Sequence, residues 1–174
     1  MQSVTFIPLA ESHRDMLLRW LSTPHVQQWW GEPNVELRRS YAVEDGEHEP
    51  YIAHINGEPI AYIQAWWPTK HPDYPWQHGM TPTTRGIDIT IGDESNLNRG
   101  YGSLIVKHFA AKLFAEGATR LIIDPDKTNI RAVKAYMKAG FTPCDEYEGD
   151  LLMELPLNRH SRESGNPTSP KAQT

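Results

Sequence analysis

The polar and apolar residues of this chain follow two periods, one typical of strands and the other typical of helices. Segments that alternate at every second residue, or that form short apolar runs, are predicted to be strands. They are residues 4–9, 51–55, 59–66, 85–91, 121–123 and 151–157. The second and third of these flank Asn56-Gly57, a preferred pair for a tight turn, and so predict a β-hairpin.

Apolar residues at helical spacing fill most of the intervals between these strands. Residues 11–22 predict a first helix, with Ser12 and Asp15 placed as a capping pair. Further along, the pattern predicts a short helix or turn at 24–33, a helix over about 34–43, a helix that begins near Gly102, and a helix over 129–139. Asn129 is placed to cap the last of these helices and Gly140 to end it.

The resulting order of elements is a strand, helices, three strands of antiparallel type, and then helix, strand, helix, strand. This order predicts an α/β fold of the mixed α+β kind, with one sheet in one domain. The domain is expected to cover residues 1–157. Residues 158–174 are polar and show no periodicity, so we expect a disordered tail.

Composition and charge narrow the kind of partner. The chain has 174 residues, of which 39% are hydrophobic and 22% are charged, as in ordinary soluble domains. Its net charge of −5 disfavours nucleic acid and suits a small cationic ligand. The single cysteine, Cys144, excludes an intrachain disulfide and favours a reducing compartment. With no signal-peptide pattern and no membrane-spanning apolar run, we expect a cytoplasmic protein without a membrane partner.

The turn Gly100-Tyr101-Gly102 stands directly before a predicted helix. Glycines allow close approach of a ligand to the backbone, and the free amides of a helix start favour an anion such as pyrophosphate. Arg99 could add a charge-assisted contact. A plain strand-to-helix turn explains the same residues, because glycine is the usual turn residue. The pattern is neither a Rossmann fingerprint nor a Walker motif.

Asp88 and Tyr136 could each have a chemical role or a purely structural one. Asp88 lies in the middle of strand 85–91, on the face opposite Ile87 and Ile89, and could serve as a base or as a salt-bridged strand residue. Tyr136, taken by itself, is more often a packed helix aromatic than an acid. The polar residues of the long loop that follows strand 59–66 fit no standard zinc spacing, so we expect no metal.

Two stretches resemble the signatures of the GNAT (GCN5-related N-acetyltransferase) family. "NRGYGSLIVKHF" matches both glycines of the family's phosphate-binding motif, although Leu97 replaces its first glutamine or arginine. "NIRAVKAYMKAGF" matches the second signature. Further segments, "HVQQWWGEP", "PYIAHINGEPIAYIQ" and "RGIDITIG", are similar to the integron-borne type of aminoglycoside 6'-N-acetyltransferase. The resemblance covers about residues 4–157.

The resemblance implies a six- or seven-stranded fold with a V-shaped splay between strands 85–91 and 121–123, where acetyl-CoA would lie. It implies Asp88 as the catalytic base and Tyr136 as the general acid, with a backbone N–H near Ile89 stabilising the oxyanion. The residues expected to bind acetyl-CoA are Ile89, Ile91, Leu97, Arg99, Gly100, Tyr101, Gly102, Ser103, Asn129, Ala132 and Tyr136.

The acceptor implied by the resemblance is a polycationic amine, the 6'-amino group of an aminoglycoside. The residues expected to bind it are Trp29, Trp30, Glu32, Asp73, Trp76, Asp88 and Asp124. The acidic stretches "EDGEHE" and "DEYEGD" could steer a cation toward this site. Alternatives that remain open are a siderophore precursor, a polyamine or a protein N-terminus as acceptor, and a non-catalytic acyl-CoA-binding module. Either a monomer or a homodimer is compatible with the family.

Overall fold

The computed structural model describes residues 2–43 and 46–157, so the predicted tail at 158–174 lies outside the described residues. One seven-stranded sheet has the order β1-β2-β3-β4-β5-β7-β6. Its strands are β1 (Val4–Pro8), β2 (His48–Ile55), β3 (Glu58–Trp66), β4 (Thr84–Ile91), β5 (Arg120–Ile123), β6 (Thr142–Tyr147) and β7 (Asp150–Pro156). Neighbouring strands are antiparallel except β4 and β5, which are parallel. The predicted mixed sheet is confirmed.

The helices occupy the predicted intervals. They are α1 (Arg14–Leu21), α2 (Pro24–Trp30), α3 (Pro33–Tyr41), α4 (Tyr101–Ala115) and α5 (Ile130–Ala139). Asn129 caps α5 by accepting a hydrogen bond from the Ala132 amide, and Gly140 ends it in the left-handed conformation, as predicted. Across these described elements, no helix has both the length and the apolarity that a bilayer crossing requires.

Two layers of helices cover opposite faces of the sheet because side chains alternate along each strand. On one face, Ile63 and Ile87 pack with Ile105 and Phe109 of α4 in the main core. On the other face, Tyr62 packs with a second cluster contributed by α1, α2 and α3. Asp88 lies on this second face, opposite Ile87 as predicted.

One prediction about local structure was wrong, and one strand was missed. Ser12 does not cap the first helix, because a short 3-10 turn precedes α1 and the His13 ring accepts the Ala10 amide there. Strand β6 was not predicted, since every residue of this edge strand is exposed and the segment lacks an apolar face. The tight turn at 148–149, between β6 and β7, joins them into a hairpin.

Strands β4 and β5 separate after a short pairing. Only Thr84–Gly86 of β4 pair with Arg120–Ile122 of β5. Along its other edge β4 continues to pair with β3 as far as Ile91 opposite Ala61. The second half of β4 therefore has a free edge, and the predicted splay between β4 and β5 opens there.

Candidate active site

The free edge of β4 presents backbone groups of alternate residues. Gly92 N–H donates to Ile60 C=O at 3.0 Å, which places the even-numbered residues of β4 in hydrogen-bonded pairs with β3. The N–H and C=O groups of Ile89 and Ile91 consequently point into the splay. The Ile91 carbonyl accepts a hydrogen bond from His25 Nε2 at 3.0 Å, which ties α2 to this edge.

Asp88 is held by a polar contact across the sheet. Gln64 lies directly opposite it on β3, and Gln64 Nε2 donates to Asp88 Oδ2 at 2.7 Å. Burial raises the pKa of the Asp88 carboxyl, while the hydrogen bond from Gln64 acts in the opposite direction. Asp88 makes no ion pair with any described lysine or arginine. The simple salt-bridge reading of this residue is therefore not supported.

Asp88 opens onto a cleft of about 910 Å³ on the face that α2 and α3 partly cover. We call it the acidic cleft because of the carboxylates that line it: Glu36, Glu47, Asp73, Asp88, Asp124, Asp126 and Asp150. Among its described lining residues Arg39 is the one arginine or lysine, and it is paired with Glu36 at 2.8 Å. Trp29, Trp30, Trp66 and Tyr74 supply aromatic surface. Such a lining fits a large ligand with several positive charges.

Asp124 follows β5 at the bottom of the splay. Burial and the nearby negative charge of Asp88 together raise the pKa of its carboxyl to about 7, against the opposite effect of the nearby Tyr74 hydroxyl. The pKa of Asp150 is also raised by burial, with added repulsion from Asp126 and Glu148. The cleft thus concentrates carboxyl groups that repel one another in the absence of a cation.

A second cavity of about 570 Å³ runs between the end of β4, the start of α4 and α5. Its cationic lining comes from Arg131, Lys134 and Lys138, and no carboxylate occurs among its described lining residues. We call it the basic groove. Lysine and arginine at spacings of three and four residues lie on one face of α5, so their charges point to the same side.

The start of α4 supplies further groups for an anion in the basic groove. Gly100 is the N-cap with φ of 79°, a left-handed conformation that favours glycine, and no side chain caps the helix there. The first intrahelical bond runs from Leu104 N–H to Gly100 C=O, which leaves the amides of residues 101–103 without an acceptor in the helix. Free amides together with three cations fit a ligand that carries several phosphate groups.

The acidic cleft and the basic groove meet at one place. The residues that line both are Trp29, Trp30, Ile89, Asn129, Ala132 and Tyr136. Tyr136 is 8% exposed, and burial, followed by the charges on Asp88 and Asp124, raises the pKa of its phenol. The phenol therefore keeps its proton at neutral pH, at the point where a group in the groove and a cation in the cleft would come into contact.

Most of the residues proposed from the sequence line these two cavities. Those that line the basic groove are Ile89, Ile91, Leu97, Gly100, Tyr101, Gly102, Ser103, Asn129, Ala132 and Tyr136. Those that line the acidic cleft are Trp29, Trp30, Asp73, Asp88 and Asp124. From the two acidic stretches, Glu47 and Asp150 reach the cleft, while residues 44 and 45 lie outside the described part of the chain.

Three proposed residues lie elsewhere. Glu32 caps α3 by accepting hydrogen bonds from the amides of Asn34 and Val35. Trp76 is buried in a cluster beside the cleft. Arg99 stacks on the Tyr101 ring, 5.0 Å from its centroid, and is absent from the groove lining, which draws its charge from α5 instead.

Several lining residues were missed by the sequence reasoning. In the groove they are Arg131, Lys134 and Lys138, whose helical spacing was a usable signal. In the cleft they include Gln64, Trp66, Tyr74 and Asp126, which come together only through the sheet and the loop that follows β3. Within the described residues, no group of three or more His, Cys, Asp or Glu side chains could hold a metal ion.

Comparison with known proteins identifies the family to which the chain belongs. Residues 10–148 match the acetyltransferase (GNAT) domain. The aminoglycoside N(6')-acetyltransferase type 1 of Klebsiella pneumoniae is 34% identical over 148 residues, which cover 80% of this chain and 74% of that protein. The lysine N-acyltransferase MbtK of Mycobacterium sp. (strain MCS) is 26% identical over 144 residues, which cover 79% of this chain and 59% of that protein.

A solved structure of AAC(6')-Ib in complex with paromomycin and acetyl-CoA superposes with a TM-score of 0.82 at 29% identity. The alignment covers 95% of this chain and 99% of that one. The chain therefore belongs to the GNAT acetyltransferase family. Within that family it is an N-acetyltransferase of the aminoglycoside 6'-N-acetyltransferase type.

Proposed function

We propose that this protein transfers the acetyl group of acetyl-CoA to the 6'-amino group of an aminoglycoside, with Asp88 as base and Tyr136 as acid. The observation that carries the proposal is the meeting of the acidic cleft and the basic groove at Tyr136. A polyanionic donor and a polycationic acceptor need sites of opposite charge that open onto one another. The two cavities have those charges.

The acceptor is a charged sugar amine rather than a neutral amine. Carboxylates surround the acidic cleft, and its one arginine is already paired with Glu36. The tryptophans of α2 offer faces against which sugar rings can stack. The similarity to the aminoglycoside N(6')-acetyltransferase of Klebsiella pneumoniae supports the 6'-amino group as the position acetylated.

Asp88 acts as the base, directly or through a water molecule. An ammonium group has no lone pair, so the acceptor must lose a proton before it can attack a carbonyl carbon. Burial raises the pKa of Asp88, which makes its carboxylate a better proton acceptor than an exposed aspartate. Gln64 hydrogen-bonds one carboxylate oxygen and holds the side chain against the wall of the cleft.

Tyr136 and the edge of β4 act on the other reaction partner. Acetyl-CoA supplies a thioester, whose carbonyl is open to attack by an amine. Tyr136 keeps its phenol proton because burial raises its pKa, so it can donate that proton to a departing thiolate. The Ile89 N–H, which points into the splay, is available to hydrogen-bond a carbonyl oxygen that gains negative charge.

A second candidate keeps the chemistry and changes the acceptor. The similarity to a lysine N-acyltransferase favours a single terminal amine carried by an amino acid, a siderophore precursor or a peptide. Such an acceptor would engage one or two of the carboxylates that line the cleft and leave the others facing one another without a cation. The acidic lining therefore favours the aminoglycoside over this candidate.

The test is release of free thiol from acetyl-CoA with kanamycin, tobramycin, amikacin, spermidine and lysine as acceptors. Fast turnover restricted to the aminoglycosides, with acetylation at the 6'-amino group shown by NMR of the product, is the expected result. Asp88→Asn should lower turnover by about 100-fold or more while coenzyme A binding stays near wild type. Turnover with lysine or spermidine alone would contradict the aminoglycoside as acceptor. An active Asp88→Asn variant would contradict Asp88 as the base.

A further inference from the structure

The polar contact at Asp88 continues one residue further into the protein. Tyr62 lies two positions before Gln64 on β3, so both side chains project from the same face as Asp88. Tyr62 OH donates to Gln64 Oε1 at 2.6 Å, and Gln64 Nε2 donates to Asp88 Oδ2 at 2.7 Å. We propose that Tyr62 and Gln64 form a positioning chain that holds the Asp88 carboxylate in the orientation needed to accept the acceptor's proton.

The order of donors and acceptors in the positioning chain follows from the chemistry of its three side chains. A carboxylate only accepts hydrogen bonds, so the Gln64 amide must turn its NH₂ group toward Asp88 and its oxygen toward Tyr62. Tyr62 is fully buried, and burial raises the pKa of its phenol, so it keeps the proton that this oxygen accepts. The rotation of the amide is thus fixed from both ends.

The positioning chain leaves the two oxygens of the Asp88 carboxylate with different hydrogen-bond partners. Oδ2 accepts from Gln64 Nε2, whereas no side-chain hydrogen bond between described residues ends on Oδ1. The Trp66 indole, whose Nε1 is buried without a partner, lies near the carboxyl and also lowers its pKa. Oδ1 is not one of the buried oxygens that lack a partner, so it opens toward the acidic cleft and is the oxygen available for proton transfer.

Other groups also act on Asp88. The elements packed around it contribute His48, His71, Tyr74, Asp124 and Tyr136. His48 and His71 act to lower the pKa of Asp88, and the charges of Asp88 and Asp124 repel each other. Two neutral groups, Gln64 and the Trp66 indole, also lower the pKa of Asp88, and Gln64 makes the hydrogen bond to its carboxylate at 2.7 Å. Removing that donor, with every other group left in place, should make Asp88 easier to protonate.

The experiment follows the ionisation of Asp88 in the full-length protein, by carbon-13 NMR titration of its carboxyl group and by the pH profile of kcat/KM. With Gln64→Leu, the Asp88 pKa and the acidic limb of the profile should both move up by about one pH unit. Tyr62→Phe, which frees the amide to rotate, should move both in the same direction by a smaller amount. A residue that only packs against Asp88 would change kcat without moving the limb.

Two further variants keep the result interpretable. Gln64→Leu removes the hydrogen-bond acceptor of the buried Tyr62 hydroxyl, so the double variant Tyr62→Phe/Gln64→Leu is measured beside it to restore an apolar match. Gln27→Leu, an identical change at an exposed position of α2 outside both cavities, should leave the profile unchanged.

The inference rests on the proposed role of Asp88, and Asp88→Asn separates the two. If Asp88→Asn abolishes turnover while Gln64→Leu and the double variant titrate like wild type, the positioning chain is refuted and the base stands. If Asp88→Asn turns over normally, the base is refuted, and the positioning chain falls with it.

Discussion

Replacing Asp124 by asparagine should stabilise the empty protein at alkaline pH. Burial and the charge of Asp88 raise the pKa of this carboxyl from 3.8 to about 7. The folded protein therefore holds the proton more tightly than the unfolded chain, so stability falls as pH rises between those two values and the loss is complete above about 7. At about 1.4 kcal/mol for each pH unit, the ionised carboxylate destabilises the fold by about 4 kcal/mol at alkaline pH.

The assay is urea unfolding of wild type and Asp124→Asn at a series of pH values without ligands. From about pH 5 to about pH 8, the variant's advantage should grow by about 3 kcal/mol, because the wild type loses the contribution of the protonated Asp124 over that range and the variant has no such contribution to lose. Loss of the Asp124 charge also makes Asp88 easier to ionise, which acts in the same direction. An advantage that does not change with pH would refute the reasoning.

Asp126→Asn is the matched control, two residues away. Asp126 accepts hydrogen bonds from the amide and hydroxyl of Thr128, which lower the pKa of its carboxyl. Because the folded pKa is lowered, Asp126 stabilises the fold at neutral pH and loses that contribution as the pH falls. Its replacement should therefore destabilise the protein at neutral pH, the opposite of the result expected for Asp124→Asn.

The same carboxylate should favour a cationic acceptor. A bound ammonium group stabilises the ionised form of Asp124, so kanamycin binding at about pH 6.5 should release a proton from the protein. Calorimetry in buffers of different ionisation enthalpy measures that proton. Asp124→Asn should bind kanamycin more weakly and release a smaller fraction of a proton on binding. Equal proton release by both proteins would contradict the role of Asp124 in binding the acceptor.

Three other changes test the proposed acid, the glycine turn before α4, and the packing between β3 and β4. Tyr136→Phe should lower kcat by about 10-fold or more with little change in coenzyme A binding. An unchanged kcat would contradict Tyr136 as the general acid. Gly100→Val should weaken coenzyme A binding measured by calorimetry, because a β-branched residue is strained at φ of 79° in the N-cap; unchanged affinity would place the phosphates elsewhere. Gly86→Ala should destabilise the fold by about 1–3 kcal/mol, because the new Cβ would lie 2.0 Å from the Trp66 ring. Denaturant unfolding checks this last change, and a stability equal to wild type would mean that the ring can move aside.

The sequence alone determined the elements whose signals are local. The hairpin turn shows this, since Asn56 and Gly57 adopt the positive φ values that their residue types favour. The ends of α5 are equally local, since the Asn129 side chain caps its first turn and Gly140 adopts a left-handed φ of 106° at its end. The glycine turn at the start of α4 and the alternation around Asp88 were also readable, because each depends on neighbours within a few residues.

Only the tertiary structure decided which side chains share a cavity. Gln64 meets Asp88 because of the register between β3 and β4, which no local pattern encodes. Asp124 acquires its raised pKa from burial beside Asp88, a residue that reaches it only because β4 and β5 are neighbours. Glu32 and Trp76 have the chemistry of binding residues, yet one caps a helix and the other packs in a cluster. Residue type sets what a side chain can do, whereas strand pairing and burial set what it faces.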